Sequence, residues 1–473
     1  MKQKRILLSA CVGLLSVLGC WGATREVTVQ LRGVHSSNIT LTPFNGVRFA
    51  LPLQHIDSVL PGNRCRFIVP DSLLPGEFLL RFDYRAKAGD APYPAEMQFY
   101  LNRENIRLYA HPLHLSGDSL RMEGDVENTV WNGFQKTNML HRQQIGLLEQ
   151  LLGNYTRRNS KLYAVALKEY EDRRVDYNRW LDSMTVAHRD CYVSHLFKFQ
   201  HIGKQNWLAL PADRVEGVAA HWFDGFNFND TTVLRSRQMG EFINGYLSLY
   251  GMRATTEALR DSLFTQAGRQ ACRLASAGNP KVYGWFVDYF YLGYETYNIT
   301  SGLRMLEEHQ NNPRCLTSKK MEIARRLAGL KNQLPGTQCA NLLVHDFDDR
   351  PHTINLQGNT KKQLVLFYES DCGHCIDLLA ELTKWYAEPE HAAALTVYTI
   401  ALDDTRQHWE PAFLKNKFPW TDRWAPGGVN SQAAADYYML STPSLFLLDE
   451  NGKLLSIPTS VEGLDKSLRS LIP

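Results

Sequence analysis

One junction near the carboxyl end constrains this 473-residue chain more than any other. The apolar run Leu364 to Tyr368 breaks directly into Glu-Ser-Asp-Cys-Gly-His-Cys (369–375). Cys375, Leu378, Leu379, Leu382, Trp385 and Tyr386 then recur at helical spacing until Pro389 ends the pattern. The run reads as a buried strand and the sequel as an amphipathic helix. Leu395 to Leu402 reads as a second strand, ending in Asp403-Asp404, and a helix around Ser431 to Tyr438 leads to Ser441-Thr442-Pro443. A strand from Leu445 to Leu448 meets the hairpin signal Asn451-Gly452 and a return strand, Leu454 to Ile457. Val461, Leu464, Leu468 and Leu471 predict a closing helix. The order βαβ–α–ββ–α describes an α/β layer around a central sheet, in about 140 residues, a usual single-domain length.

Two cysteines three apart at a strand-to-helix junction have a specific chemical use. Cys372 falls at the helix N-terminus, where unpaired backbone N–H groups and the positive dipole end favour a thiolate. Cys375 lies one turn on, close enough to close a small disulfide. The first sulfur attacks a substrate disulfide and the second resolves the mixed disulfide. Gly373 and His374 complete the motif; the imidazole favours the thiolate, whereas Asp371 pulls the other way. Other uses of the pair fit less well. A c-type haem needs His directly after the second Cys, and Ile376 stands there. A zinc site needs two further ligands, yet no second Cys-x-x-Cys exists and His391 and His408 are scattered. A permanent structural disulfide remains as the alternative. Neither a metal nor an organic cofactor is expected.

Residues Leu364 to Cys375, with Thr442-Pro443 and the hairpin entry after Leu445, resemble a thioredoxin-fold domain. The likeness is to exported TlpA-like and ResA-like thiol-disulfide oxidoreductases of bacteria, related to the AhpC/TSA superfamily, over residues 336–473. It implies Cys372 as nucleophile, Cys375 as resolving thiol, and Pro443 as a cis-proline facing the disulfide. Thr442, Pro443 and Tyr368 would then bind the substrate chain. Two departures stand out. Many thioredoxins carry a buried Asp six residues before the first Cys, where Leu366 stands here. ResA-like proteins often have Glu three residues after the second Cys, where this chain has Leu378. Deprotonation of Cys375 must then use water, His374, Glu369 or Asp377. The Gly-His dipeptide resembles that of disulfide isomerases, whose potential is near about −180 mV rather than the about −270 mV of thioredoxin. It pulls towards interchange, while the TlpA likeness pulls towards a reductase fed by a membrane electron donor.

Charge locates the compartment. The net charge is +3, from 52 Lys and Arg against 49 Asp and Glu. Lys2, Lys4 and Arg5 account for the surplus, so the rest of the chain is neutral and a nucleic-acid binder is not expected. These bases precede an apolar run, Ile6 to Leu18, and small residues at Gly19, Cys20, Gly22 and Ala23. That is the pattern of a signal peptide over residues 1–23, too short for a stable membrane span. Val17-Leu18-Gly19-Cys20 also resembles a lipobox. Either Cys20 is acylated and anchors the protein, or cleavage after Gly22 or Ala23 removes it. The expected location is the periplasm or cell envelope, with membrane contact only through that lipid.

Between leader and redox domain the texture changes twice. From 24 to 127, alternation at Val27, Val29 and Leu31, at Phe78, Leu80 and Phe82, and at Ile106 and Leu108 predicts an antiparallel β domain, a sandwich. From 128 to 335 the spacing is helical, and Ser160 to Gln200 holds neither Gly nor Pro. The stripe Trp285, Phe286, Tyr289, Phe290, Tyr291 and Tyr294 reads as helix–helix core. The fold class is thus a β domain, an all-α domain and an α/β domain at 336–473. Of nine cysteines, Cys65, Cys191, Cys272, Cys315 and Cys339 lie outside leader and motif. Their number is odd, so they pair incompletely or stay buried as free thiols.

The expected function is an exported dithiol oxidoreductase that reduces or exchanges disulfides of envelope proteins. A peroxiredoxin-like peroxidase would want Pro and Thr ahead of the reactive Cys, where Tyr368-Glu369-Ser370-Asp371 stands. A non-enzymatic envelope binding or assembly protein with an incidental Cys-x-x-Cys is the other alternative.

Overall fold

The computed structural model describes residues 24–49, 51–115 and 121–470. The leader and Cys20 lie outside the described residues, as does Leu471. The chain divides into two compact units, one ending at Arg260 and the other beginning at Asp261.

Among its described residues the first unit holds β1 (Thr24–Leu31), β2 (Ser36–Asn45), β3 (Arg48–Phe49), β4 (Gln54–Val59) and β5 (Arg64–Pro70). β6 (Gly76–Arg85), β7 (Tyr93–Leu101), β8 (Ile106–Ala110) and β9 (Arg121–Glu123) follow. One sheet runs β5-β1-β8-β9; the other runs β3-β2-β6-β7, with β4 also on β2. Period-two alternation turns Val27, Val29 and Leu31 and Phe78, Leu80 and Phe82 into one shared core. One pair departs from the antiparallel expectation: β1 runs parallel to β8, Val27 beside Ile106. The second sheet lies between them in sequence and supplies the long crossover that parallel pairing needs. Alternation alone carries no sign of strand direction.

Helices α1 (Val126–Asn154) and α2 (Lys161–Ala187) follow, each started by a side chain that accepts a backbone N–H, Asp125 from Asn128 and Ser160 from Tyr163. α3 (Ser194–Phe197), α4 (Pro211–Ala220) and α5 (Gln238–Gly251) complete the unit.

The break between units falls inside α6 (Glu257–Ser276). The second unit continues with α7 (Pro280–Thr296), α8 (Thr300–Met305), α9 (Glu307–Gln310) and α10 (Lys320–Asn332). The helices of 128–335 are therefore shared between the two units. On α7, Trp285, Phe286, Phe290, Tyr291 and Tyr294 are buried. Gly268 and Gly302 make room for Tyr294: a Cβ at either would lie 1.9 or 2.6 Å from its side chain.

Then come β10 (Leu342–His345), β11 (Pro351–Ile354), β12 (Lys362–Tyr368), α11 (Gly373–Tyr386), α12 (Pro389–Ala394), β13 (Leu395–Ala401) and α13 (Arg406–Asn416). β14 (Thr421–Trp424), α14 (Gln432–Asp436), β15 (Ser444–Leu448), β16 (Leu454–Ser456) and α15 (Val461–Arg469) end the described fold. The sheet order is β11-β10-β14-β13-β12-β15-β16. Leu364, Leu366 and Tyr368 pack with α11 and α15 on one face; Val365 and Phe367 pack with α14 on the other. Burial on both faces is why β12 reads as an unbroken apolar run. Arg325 of α10 donates to the carbonyls of Val429 and Met439, at 2.7 and 2.9 Å, and ties the helices to this layer.

Candidate active site

β12 pairs in parallel with β13 and antiparallel with β15. Beyond it the chain leaves the sheet through Glu369, Ser370 and Asp371. The N–H and hydroxyl of Ser370 donate to the Asp403 carboxylate, at 3.2 and 2.9 Å, which pins this exit to the end of β13. Cys372 is the N-cap residue of α11, in extended backbone (φ −76°, ψ 114°). Its N–H donates to the Glu369 carbonyl at 3.3 Å, and its own carbonyl accepts from Ile376 at 3.0 Å. The sulfur therefore sits at the helix end whose first N–H groups lack intrahelical partners. Cys372 is half-buried, Gly373 and His374 are exposed, and Cys375 is fully buried one turn below.

The two sulfurs are in hydrogen-bonding contact. Burial, and then that contact, push the Cys375 thiol up to about 12, against the opposing pull of the Glu369 backbone and the Thr442 hydroxyl. Thr442 arrives from the other side of the site. Ser444 of β15 lies beside Phe367, so the Thr442-Pro443 segment, whose peptide is cis, flanks the end of β12. The Thr442 hydroxyl also lies beside the Glu369 carboxyl. Partial burial raises that carboxyl above its ordinary range, and repulsion from Asp371, Asp403 and Asp404 adds to the effect. Asp403 is raised for the same first reason.

Tyr368 is the correction among the site residues. It was expected to bind the substrate chain, yet only 1% of it is exposed, and its hydroxyl donates to Asp422 at 3.0 Å. It is the sixth buried residue in a row, so its ring follows the inward alternation of β12 and lies beneath the site. Leu366 fills the same core cluster as Cys375, so the place of a buried relay Asp is apolar.

The sequence reading missed Asp422, on β14. It is buried and also accepts from the Thr399 hydroxyl at 2.7 Å and the Trp409 indole at 3.2 Å. Burial raises its carboxyl to about 6. Its only sequence signal is a carboxylate at an inward position of a short strand, where a surface acid reads the same. Among the described residues, Glu388, Glu390 and His391 offer three ligand atoms within 4.8 Å of one another. They lie beyond the far end of α11 from the thiols, and His391 is already stacked on Trp385, its Nδ1–H donating to the Trp385 carbonyl at 2.7 Å.

Residues 351–463 match the family described as the thioredoxin-like domain. The carboxy-terminal layer is a thioredoxin-like domain. Solved structures similar to this chain include a thiol-disulfide oxidoreductase from Bacteroides fragilis, 24% identical, covering 29% of this chain and 100% of that one (TM-score 0.26). Another is the thioredoxin domain of a thiol-disulfide oxidoreductase from Bacteroides vulgatus, 19% identical, covering 30% and 99% (TM-score 0.27). A thioredoxin-like protein from Bacteroides caccae covers 57% of this chain and 97% of its own at 15% identity (TM-score 0.34). At these identities and scores, nothing about substrate or partner passes from them to this chain. No curated protein matches it.

Proposed function

We propose that the protein is an exported thiol-disulfide oxidoreductase that reduces or exchanges disulfides of envelope proteins through Cys372 and Cys375. The observation that carries this reading is the pair itself: one half-buried cysteine at the N-cap position of α11, a second buried one turn below it, and an exposed approach over Gly373 and His374. The Cys372 thiolate attacks one sulfur of a client disulfide; the other client sulfur leaves as a thiolate and takes a proton from water. Cys375 then attacks Cys372, frees the remaining client thiol, and leaves the Cys372–Cys375 disulfide. The client gains two electrons and the dithiol loses two. A membrane electron donor then restores the dithiol. Support for export comes from the basic, apolar and small-residue order of residues 2–23. Thr442 and Pro443 flank the sulfurs and are the surface against which a client chain would lie.

Insulin reduction by dithiothreitol tests the chemistry. The protein should accelerate it, and Cys372→Ser should abolish the acceleration. Cys375→Ala should accumulate mixed disulfides with envelope clients. Absence of any acceleration, or full activity in Cys372→Ser, refutes the proposal; peroxide turnover would favour a peroxidase instead.

A further inference from the structure

Burial pushes the Cys375 thiol up and keeps it protonated at neutral pH, so the resolving step needs a base. The place of a relay carboxylate on β12 is taken by Leu366, and Leu378 is equally apolar and buried. His374 and Asp377 are exposed on α11, whereas Cys375 is not exposed at all. We propose that Glu369 is the proton acceptor for Cys375 and that the Thr442 hydroxyl is the bridge between them.

Two independent features place these three groups together. The first is register. β12 and β15 pair antiparallel with Leu366 beside Leu445 and Phe367 beside Ser444. The ladder ends there: Thr442 enters β15 through its cis peptide to Pro443 at the same end of β12 from which Glu369 departs. The second is proximity: the Thr442 hydroxyl lies close enough to the Cys375 sulfur and to the Glu369 carboxyl to lower the proton affinity of each. The titratable groups facing Glu369 are Asp371 on its own loop, Asp403 and Asp404 after β13, and the thiols through Thr442. Burial first, and then the three carboxylates, raise its proton affinity, which suits a group that must accept a proton and release it to water.

The inference rests on the oxidoreductase reading and concerns its second step. With the client held on Cys372, the Cys375 S–H donates to Thr442 Oγ1, whose O–H donates to the Glu369 carboxylate. The hydroxyl passes its proton to Glu369 as it takes the one from sulfur. The Cys375 thiolate attacks Cys372 Sγ; the Cys372–client bond breaks and the client sulfur leaves with the electron pair. Glu369, half-buried, returns the proton to water or to the departing thiolate.

The test uses the full reduced protein and dithiobis-nitrobenzoate. Attack by Cys372 releases one thionitrobenzoate and leaves the second on Cys372; attack by Cys375 releases it. A Cys372→Ser control subtracts release from other thiols. The readout is the ratio of second to first rate, so a general change at Cys372 divides out, followed from about pH 5 to about pH 9. Glu369→Gln should lower this ratio about 100-fold at neutral pH, the low end of general-base catalysis. It should also move the rise of the second step to alkaline pH. Thr442→Val should do the same, and Thr442→Ser should restore the wild-type profile. An unchanged ratio and profile in Glu369→Gln, or indistinguishable Val and Ser variants at 442, overturns the relay while wild-type turnover leaves the oxidoreductase reading standing. A wild-type protein that releases no second equivalent overturns both.

Discussion

The buried carboxyl of Asp422 makes the stability of the carboxy-terminal layer fall as pH rises, and by a calculable amount. Its ordinary value is 3.8 and burial lifts it to about 6, so between those two values the folded state holds a proton that the unfolded chain has released. The stabilisation is fully present below about 3.8 and is lost as pH rises through about 6. A shift of about two units corresponds to about 3 kcal/mol. Asp422→Asn removes the titration. It also replaces an acceptor oxygen with an amide, and both Trp409 and Tyr368 donate to the Oδ2 oxygen. That mismatch costs about 1–3 kcal/mol, but the offset does not depend on pH. The difference between variant and wild type is therefore diagnostic in its slope. Relative to wild type, Asp422→Asn should gain about 3 kcal/mol between about pH 4 and about pH 7. Hydrogen exchange of the β13 and β14 amides in the full chain measures it, each pair compared at the same pH so that intrinsic exchange cancels. A difference that stays flat over this range, or that falls, refutes the reasoning.

Other perturbations have equally definite outcomes. Leu366→Ala empties a fully buried site beside Cys375 and should destabilise the layer by about 2–5 kcal/mol, read from protection of β12 amides. Gly428→Ala should cost at least about 1–2 kcal/mol by the same readout, since its φ is +57° and a Cβ would meet the Leu402 carbonyl at 2.7 Å. In the first unit, Glu77 is 1% exposed, pairs with Arg237 at 3.1 Å and accepts from Ser236 at 2.8 Å. Glu77→Ala should cost about 1–3 kcal/mol in β6 protection, because Arg237 is half exposed and returns to water while Ser236 stays buried. Iodoacetamide on the native reduced protein should modify Cys372 before Cys65, Cys272, Cys315 or Cys375, which are all buried; peptide mass spectrometry reads the order.

What the sequence makes legible here follows from how each feature is encoded. β12, α11 and the dithiol are visible because burial on both faces leaves an unbroken apolar run, and because helical spacing starts at a defined residue. The core role of the α7 stripe is visible for the same reason. β10, β11 and β14 escape such reading: each is four residues long, too short for a period to repeat. The parallel pairing of β1 and β8 leaves no trace in alternation. Tyr368 shows the hazard of reading position without parity, since adjacent strand residues face opposite sides, and one step separates the buried ring from the loop that leads to the dithiol. Asp422 and its donors Thr399, Tyr368 and Trp409 come from four separate elements, so no local window contains the network.

The distribution of carboxyl groups in this layer has a physical logic. A relay acid on β12 would share the apolar cluster around Cys375, where the charged form is penalised and no water receives the proton. With Leu366 in that place, the next acid along the chain is three residues beyond, where the chain has left the sheet and the side chain is partly in solvent. Such an acid needs a bridge to a buried sulfur, and the Thr442 hydroxyl, just ahead of the strand that pairs with β12, is placed to supply it. Asp422 lies in the same layer but is held by Thr399, Tyr368 and Trp409, so its lone pairs are committed and its proton has no described path to the thiols. Of the three raised carboxyls, Asp422 is shifted furthest and carries the largest pH-dependent stability, Asp403 is held by Ser370, and Glu369 is the one placed to govern resolution. Asp422→Asn should accordingly leave the resolution profile in place, and in a Glu369→Gln background Asp422→Asn should still show its own gain of stability between about pH 4 and about pH 7.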